Sequence, residues 1–436
     1  MVLVIIISLI TFIYLILSVL FFPVIKTRFI TLNSFWVVSF VGALIMIVSG
    51  LIGLKEVYLG ITNSSEVNPL KILTLFISMT ILSIFLDEVG FFNYLASLSL
   101  KYAKNSQASL FVTLYVVVSI LTVFTSNDII ILTFTPFIAY FSKRAKINPI
   151  PYLIAEFVAA NSWSMMLVIG NPTNIYLATS FNISFTEYFK VMFIPTLLGS
   201  LIGFISLYLI FRKQLKIPIT KIHEEIIIKD KSLLIIGIIH LAMCTILLAF
   251  SSYIDLPMWI ISFIFMISLV IFVLIFSLKN KVRRIVLKNT FRRGPWNLIP
   301  FLVSMFIIVL SLEKYNVTSM IADLIGTNNL IYRYGIVSFL SSNIINNIPM
   351  SVLFSNILAT SSFSSTSAVY ATIVGSNLGA LFTPIGALAG IMWMSILGKL
   401  EIKMNFIDFI KHCFIVAILS LLGTLISLDM VFRFLV

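Results

Sequence analysis

Ile77-Ser78-Met79-Thr80 opens a line of sequence that closes on Leu86-Asp87, and the line returns as Val303-Ser304-Met305-Phe306 closing on Leu312-Glu313. Both copies sit in apolar segments of membrane length. Both are followed by a second apolar stretch interrupted by Ser and Asn. A membrane chain that repeats itself once, with helix-breaking polar motifs in corresponding places, carries the pattern of a secondary transporter.

Composition agrees. Of 436 residues, 60% are hydrophobic and 10% charged, where a soluble protein carries about 25% charged residues. Uncharged runs over 2–22, 34–54, 192–211, 232–252 and 259–277 match the roughly 20 residues that cross a hydrocarbon core. The fold class expected is an all-α polytopic membrane protein. The first run lacks a basic leader and a small-residue cleavage site, so it reads as a retained span. Cys244 and Cys413 fall in separate predicted helices, and His223, His240 and His412 show no ligand spacing. No disulfide, metal site or cofactor is expected. The net charge of +13 would invite a nucleic-acid partner if it were clustered on one face. It is instead spread over short loops between spans, which reads as membrane topology.

Those basic loops are Lys26/Arg28, Lys101/Lys104, Lys143/Arg144/Lys146, Arg212 through Lys231, Lys279 through Arg293, and Lys399/Lys403 with Lys411. Placing all of them in the cytoplasm leaves only Lys55, Lys71, Lys190, Lys314, Arg333 and Arg433 outside. Both termini then lie outside the cytoplasm, with the plasma membrane as the expected location. Residues 107–142 leave the cytoplasm and return to it, turning at Thr125-Ser126-Asn127-Asp128, as a re-entrant hairpin. Residues 330–362 do the same from the outer side, turning at Asn346-Asn347. The expectation is ten spans and two hairpins. They form an inverted repeat of five spans and one hairpin per half, over 1–213 and 232–436, joined by a cytoplasmic linker at 214–231.

Irregular backbone at membrane depth is tolerated only where it lines a cavity. Ser126-Asn127-Asp128 marks the first hairpin tip, and Gly170-Asn171-Pro172-Thr173-Asn174 breaks the span near 150–180. Asn346-Asn347-Ile348-Pro349 marks the second tip. Gly375-Ser376-Asn377 and Thr383-Pro384-Ile385-Gly386 break the span near 366–398. Ser164 precedes Pro172 by the interval that separates Ser376 from Pro384. The candidate substrate-binding residues are Ser126, Asn127, Asn171, Thr173, Asn174, Asn346, Asn347, Ser376, Asn377 and Thr383. Half-helix N-termini suit anions or oxygen-rich solutes, and freed carbonyls suit cations; the alternative is that these side chains only kink and pack helices. Asp128 is the candidate for binding and releasing a proton, because an aspartate in mid-bilayer costs about 2.5–3.5 kcal/mol. Its other reading is the N-cap of a helix starting at Ile129. Glu156 is a second proton-coupling candidate, unless it snorkels to the cytoplasmic surface. Asp87, Glu88 and Glu313 fall at span ends and read as interfacial anchors.

At these residues the chain resembles the ion transporter superfamily, and most closely the ArsB arsenite/antimonite permeases. The resembling segments are Leu86-Asp87-Glu88-Val89-Gly90-Phe91-Phe92, Ser126-Asn127-Asp128 through Thr135-Pro136, Pro295-Trp296-Asn297 and Asn346-Asn347-Ile348-Pro349. The most specific is Gly375-Ser376-Asn377-Leu378-Gly379 followed by Thr383-Pro384-Ile385-Gly386. The Asn-Asp tip is similar to that of proton-linked members, whereas Gly170-Asn171-Pro172-Thr173-Asn174 is closer to the general superfamily pattern. The resemblance implies efflux of trivalent arsenic or antimony hydroxides, coupled to inward proton movement or helped by a separate soluble ATPase. It is also compatible with a homodimer.

A site of amides, hydroxyls and a carboxylate without Arg or Lys suits a neutral hydroxide better than a multiply charged anion. The expected function is therefore proton-coupled efflux of arsenite or antimonite. The alternative is a sodium/proton antiporter or a sodium-coupled carrier of dicarboxylates or citrate, since a fold alone does not decide the cargo. An enzyme is not expected, because an intramembrane hydrolase needs a nucleophile–base pair or paired aspartates. The repeated breaks favour alternating access over a continuous pore.

Overall fold

The computed structural model describes residues 1–26, 31–62, 68–102, 106–218, 228, 230–277, 281–360 and 366–434. Most of the expected linker at 214–231, with His223, lies outside the described residues, as do 361 and 362 at the end of the second expected hairpin. Within the described residues the chain is helical apart from an antiparallel ribbon, β1 (Val24–Lys26) on β2 (Thr31–Asn33).

The helices before the linker are α1 (Val2–Phe21), α2 (Ser34–Val48), α3 (Leu54–Thr62), α4 (Pro69–Val89), α5 (Phe91–Tyr102), α6 (Gln107–Phe124), α7 (Asn127–Ala145), α8 (Ile150–Trp163), α9 (Pro172–Ser180) and α10 (Phe185–Phe211). After it come α11 (Lys231–Ala249), α12 (Met258–Ser277), α13 (Lys281–Arg292), α14 (Leu298–Lys314), α15 (Val317–Ile325), α16 (Leu330–Ile345), α17 (Asn347–Thr360), α18 (Thr366–Gly379), α19 (Leu388–Lys399) and α20 (Phe406–Phe434). The packing shows the same exchange between the two sets. α2 packs on α14 and α12 on α4; α7 packs on α19 and α17 on α9; α6 packs on α8 and α16 on α18; α10 packs on α20.

Seven of these helices are long and apolar enough to cross a bilayer: α1, α4, α6, α10, α11, α12 and α20. The remaining expected spans are shorter or broken, for local reasons. The run read as 34–54 ends at Val48, where Gly50 (φ 71°) turns the chain, so α2 has 15 residues and rises about 22 Å. α14 has 17 residues and meets α15 at 81° across Tyr315-Asn316. Burial runs against hydropathy: α4, with a mean hydropathy of 2.0, is 78% buried, and α12, at 3.0, is 28% buried. The most apolar helices face lipid, while α4 carries its hydroxyls into the interior. This is a multi-pass membrane protein, and the ends of its helices share faces in an informative way. Arg293 precedes α14 and pairs with Asp87 at the end of α4. α4 therefore ends on the face where α14 begins, and the two cross in opposite senses.

The two longest helices, α10 and α20, meet through small residues. A Cβ on Gly199 would collide with Thr424 and the Ser420 carbonyl, one on Gly203 with Ser420, and one on Gly423 with Ile202. In lipid, where apolar surface alone does not drive association, such close backbone approach supplies the packing. Gly199→Leu should wedge α10 from α20 at a cost of roughly 1–3 kcal/mol. It should appear as a lowered melting temperature of the detergent-purified protein, with Gly199→Ala intermediate.

Candidate functional site

The span read as 150–180 breaks because its sequence cannot continue a helix. α8 stops at Trp163, a 3-10 turn covers Ser164–Met166, and Leu167 is extended; a second 3-10 turn covers Val168–Gly170 before an extended Asn171. Pro172 then opens α9, and the Asn171 side chain accepts from the Thr173 N–H at 3.1 Å. Only glycine fits at 170, since a Cβ there would strike the Ser164 carbonyl. The second break follows the same logic. α18 stops at Gly379, Thr383 is extended, a 3-10 turn covers Pro384–Gly386, and α19 starts after an extended Ala387.

The carbonyls released by these breaks are met by asparagine side chains. Asn174 Nδ2 donates to Ser164 O (2.8 Å) and Leu167 O (3.2 Å). Asn343 Nδ2 donates to Gly379 O (3.0 Å), and Asn346 Nδ2 donates to Ile385 O (2.9 Å). Asn377 then joins the two breaks. Its Oδ1 accepts from Ser164 Oγ (2.9 Å) and Asn171 Nδ2 (3.0 Å), while its Nδ2 donates to Asn174 Oδ1 (2.6 Å). Every member of that quartet is buried.

The turn between α6 and α7 and the turn between α16 and α17 both reach this layer. Thr125 and Ser126 are extended between α6 and α7, and Asn127 Nδ2 donates to Asn161 Oδ1 at 3.1 Å. Asn161 lies about 16 Å along α8 from its start, which places the tip midway through the span. At the second tip Asn346 holds φ 71°, and α17 starts at Asn347. Ser351 Oγ and Ser376 Oγ lie 3.4 Å apart, tying α17 to α18. Ser126 Oγ and Asn347 Oδ1 are buried with no hydrogen-bond partner among the described residues. Thr173 spends its hydroxyl on Asn171 Oδ1 (3.0 Å), and Thr383 donates to Asn343 Oδ1 (2.5 Å). Both act in shaping the breaks.

The carboxylates sit deeper, or are held more closely, than a helix cap, a snorkelled end or an interfacial anchor would be. Asp128 caps nothing: α7 already begins at Asn127 behind Ser126, and the Asp128 backbone N–H donates to Asn127 Oδ1 (3.0 Å). Its half-buried side chain has no hydrogen-bond partner among the described residues. Glu156 does not snorkel. It is 1% exposed, both its oxygens lie within reach of Thr135 Oγ1 (2.9 and 3.0 Å), and the Trp393 side chain of α19 faces it. Asp87 and Glu88 are more than interfacial anchors. Arg293 holds each at 2.6 Å, and Thr133 of α7 donates to Asp87 Oδ1 at 2.8 Å. His240 is satisfied by Ile236 O and Ser268, and no cluster of metal-ligating side chains occurs among the described residues. A separate groove of 780 Å³ beside α6, α10 and α11 is walled by Val, Leu, Ile and Phe, chemistry suited to acyl chains rather than to a hydroxylated solute.

The family described as Citrate transporter, CitMHS, matches residues 24–367. The chain belongs to that family. Among curated relatives of this CitMHS member, the arsenical pump membrane protein of Escherichia coli is 25% identical over 341 residues, covering 74% of this chain and 78% of that protein. The arsenical pump membrane protein of Yersinia enterocolitica is 25% identical over 374 residues, covering 81% and 84%. The 46 kDa membrane protein of Mycobacterium leprae is 24% identical, covering 80% and 84%. These relatives set the chain beside the ArsB permeases within the ion transporter superfamily. The YdaH transporter of Alcanivorax borkumensis shares the fold, with a TM-score of 0.56 at 12% identity over 98% of both chains. The CitMHS member is thus a membrane transporter.

Sequence reasoning missed Asn161, Asn343, Ser351 and Trp393. Asn161 and Asn343 each stand one turn before a motif that was noticed, Ser164 and Asn346, so helical spacing could have found them. Ser351 and Trp393 lie on uninterrupted helical stretches and carry no local signal. Asn377→Ala should leave Asn171 Nδ2 and Asn174 Oδ1 unpaired, while Ser164 keeps its bond to Asn161 O, at a cost of roughly 2 kcal/mol or more. Thermal unfolding should register this as a larger loss than for Asn356→Ala, whose amide bonds only within its own helix.

Proposed function

We propose that this chain is a proton-coupled secondary transporter that exports arsenite or antimonite across the plasma membrane. The observation carrying the reading is the Asn377 junction: amides and hydroxyls from both broken spans converge on one buried point, and no Lys, Arg or His joins them among the described residues. Neutral trihydroxides offer several donors and acceptors and need no counter-charge. Their binding would also engage Ser126 Oγ and Asn347 Oδ1, whose burial without partners costs about 1–3 kcal/mol each.

In this reading the halves 1–213 and 232–436 form an inverted repeat, with 107–142 and 330–362 as re-entrant hairpins and both termini outside the cytoplasm. Support comes from the exchanged packing and from the opposite crossing of α4 and α14. Asn127, Asn171, Asn174, Asn346, Asn347, Ser376 and Asn377 bind cargo, and Thr173 and Thr383 hold the breaks in shape. Asp128, unpaired beside the first tip, exchanges the coupling proton, with Glu156 as a second proton site between α7, α8 and α19. A homodimer and a soluble ATPase partner belong to the same proposal through the arsenical pump relatives. The second reading is a sodium/proton antiporter or a sodium-coupled carrier of citrate or another organic anion; the description of the matching family, a citrate transporter, favours the carrier.

Uptake into everted vesicles of arsenite, antimonite, citrate and sodium, compared side by side, separates the two. Arsenite and antimonite uptake driven by an acid lumen is expected; sodium-dependent citrate uptake without arsenite uptake would replace this proposal by the second. Asp128→Asn should abolish proton-driven arsenite uptake, a loss of at least tenfold, while the protein elutes as a folded species. Undiminished uptake by that variant would remove Asp128 from the mechanism.

A further inference from the structure

Asp87 and Glu313 occupy matching places in the repeated line and meet opposite fates. Asp87 is neutralised by Arg293 and bonded by Thr133. Glu313 sits at the other end of α14, about 22 Å from Leu298 along a 17-residue helix, and has no ion-pair or side-chain hydrogen-bond partner among the described residues. It opens on a cavity of 590 Å³ lined also by Glu56, Lys314, Thr318, Ser319 and Thr360. Thr318 is 0% exposed, and its Oγ1 has no hydrogen-bond partner among the described residues. Among the described residues the one cation lining the cavity, Lys314, is paired with Glu56, so Glu313 is a carboxylate to which a proton can come.

Polar groups continue inward from that cavity. The Tyr176 hydroxyl of α9 is buried without a hydrogen-bond partner among the described residues, and α9 packs on α17, the helix that carries Ser355 and also packs on α14. Ser355 and Ser351 stand one turn apart on α17, so they share a face. Ser351 meets Ser376, the neighbour of Asn377. Hydroxyls on α9 and α17 therefore lie between α14, which carries Glu313, and the junction of the two breaks.

We propose that Glu313 is the port through which the coupling proton enters from the face opposite Arg293, passing along Tyr176, Ser355 and Ser351 toward the central polar layer; this rests on the proton-coupled reading above. Glu313 takes a proton from water in the cavity, each hydroxyl along the path accepts one proton as it releases its own, and the proton ends on the Asp128 carboxylate, leaving Glu313 ionised again. Net charge inside is unchanged until the proton reaches its acceptor. The titratable and charged groups on the elements packed against α14 are Tyr14 of α1, Lys55, Glu56 and Tyr58 of α3, Lys71, Asp87 and Glu88 of α4, and Asp323 of α15; α2 and α17 carry none. Of these only Glu56 lines the cavity, and it is paired with Lys314 at 2.8 Å. Glu313 is thus left as the group there to titrate.

The test measures initial arsenite uptake into everted vesicles while lumenal pH is varied and bath pH is fixed, for the wild type, Glu313→Gln, Glu313→Asp and Tyr176→Phe. The wild-type rate should rise as the lumen is acidified. Glu313→Gln should lose that rise, falling at least tenfold at the acid end, and Glu313→Asp should restore most of it. Tyr176→Phe should reduce the rise with the bath-side pH profile unchanged. A Glu313→Gln profile matching the wild type overturns the port and leaves the carrier reading standing. A uniform loss with the profile shape intact assigns Glu313 a structural role and also overturns it. Absence of arsenite uptake in the wild type overturns both readings together.

Discussion

A helix broken in mid-membrane releases backbone carbonyls where no water can meet them, and each left alone costs several kcal/mol. Everything in the centre of this protein answers that constraint. Asn174, Asn343 and Asn346 donate to carbonyls at the breaks, and Asn171 accepts from an N–H at the start of α9. Asparagine suits the task because its side chain repeats the donor and acceptor of a peptide group. Once the breaks are held open, Asn377 can bind three side chains across them. The same residues that make irregular backbone tolerable thus create a buried polar layer.

That layer is made of neutral groups, and this shapes the proposed chemistry. A guanidinium or ammonium in such a place would favour a multiply charged anion; amides and hydroxyls favour a neutral, hydroxyl-bearing cargo. Charge enters at the margins, through Asp128 at the first tip and Glu156 between α7, α8 and α19. Arg293, by contrast, is committed to Asp87 and Glu88 at the protein surface. It ties α13 to α4 and, by way of Thr133, to the hairpin helix α7.

The membrane class, both breaks and the turns at Thr125-Ser126 and Asn346 were legible in the sequence because Gly, Pro and Asn disrupt apolar runs locally. What stayed hidden depends on distance in the chain. Nothing near Asp87 announces Arg293, and nothing near Glu156 announces Trp393, since each pair forms only when α13 and α19 dock. Helix ends were misjudged where composition continued past the geometry, as at Val48, where the apolar run extends to Leu54 but Gly50 turns the backbone. The short helices α3, α5 and α15 were equally invisible, being too short to stand out from their flanks. Glu156 was placed too near the surface because its neighbours along the chain say nothing of Thr135 and α19 closing over it.

The proposed account comes down to one location for the cargo. Antimony is a strong anomalous scatterer, so an experimental structure of the protein with bound antimonite would locate the solute directly. The account predicts a peak within hydrogen-bonding reach of Asn377 and the two hairpin tips. A peak confined to the surface, or to the apolar groove beside α10, would contradict it.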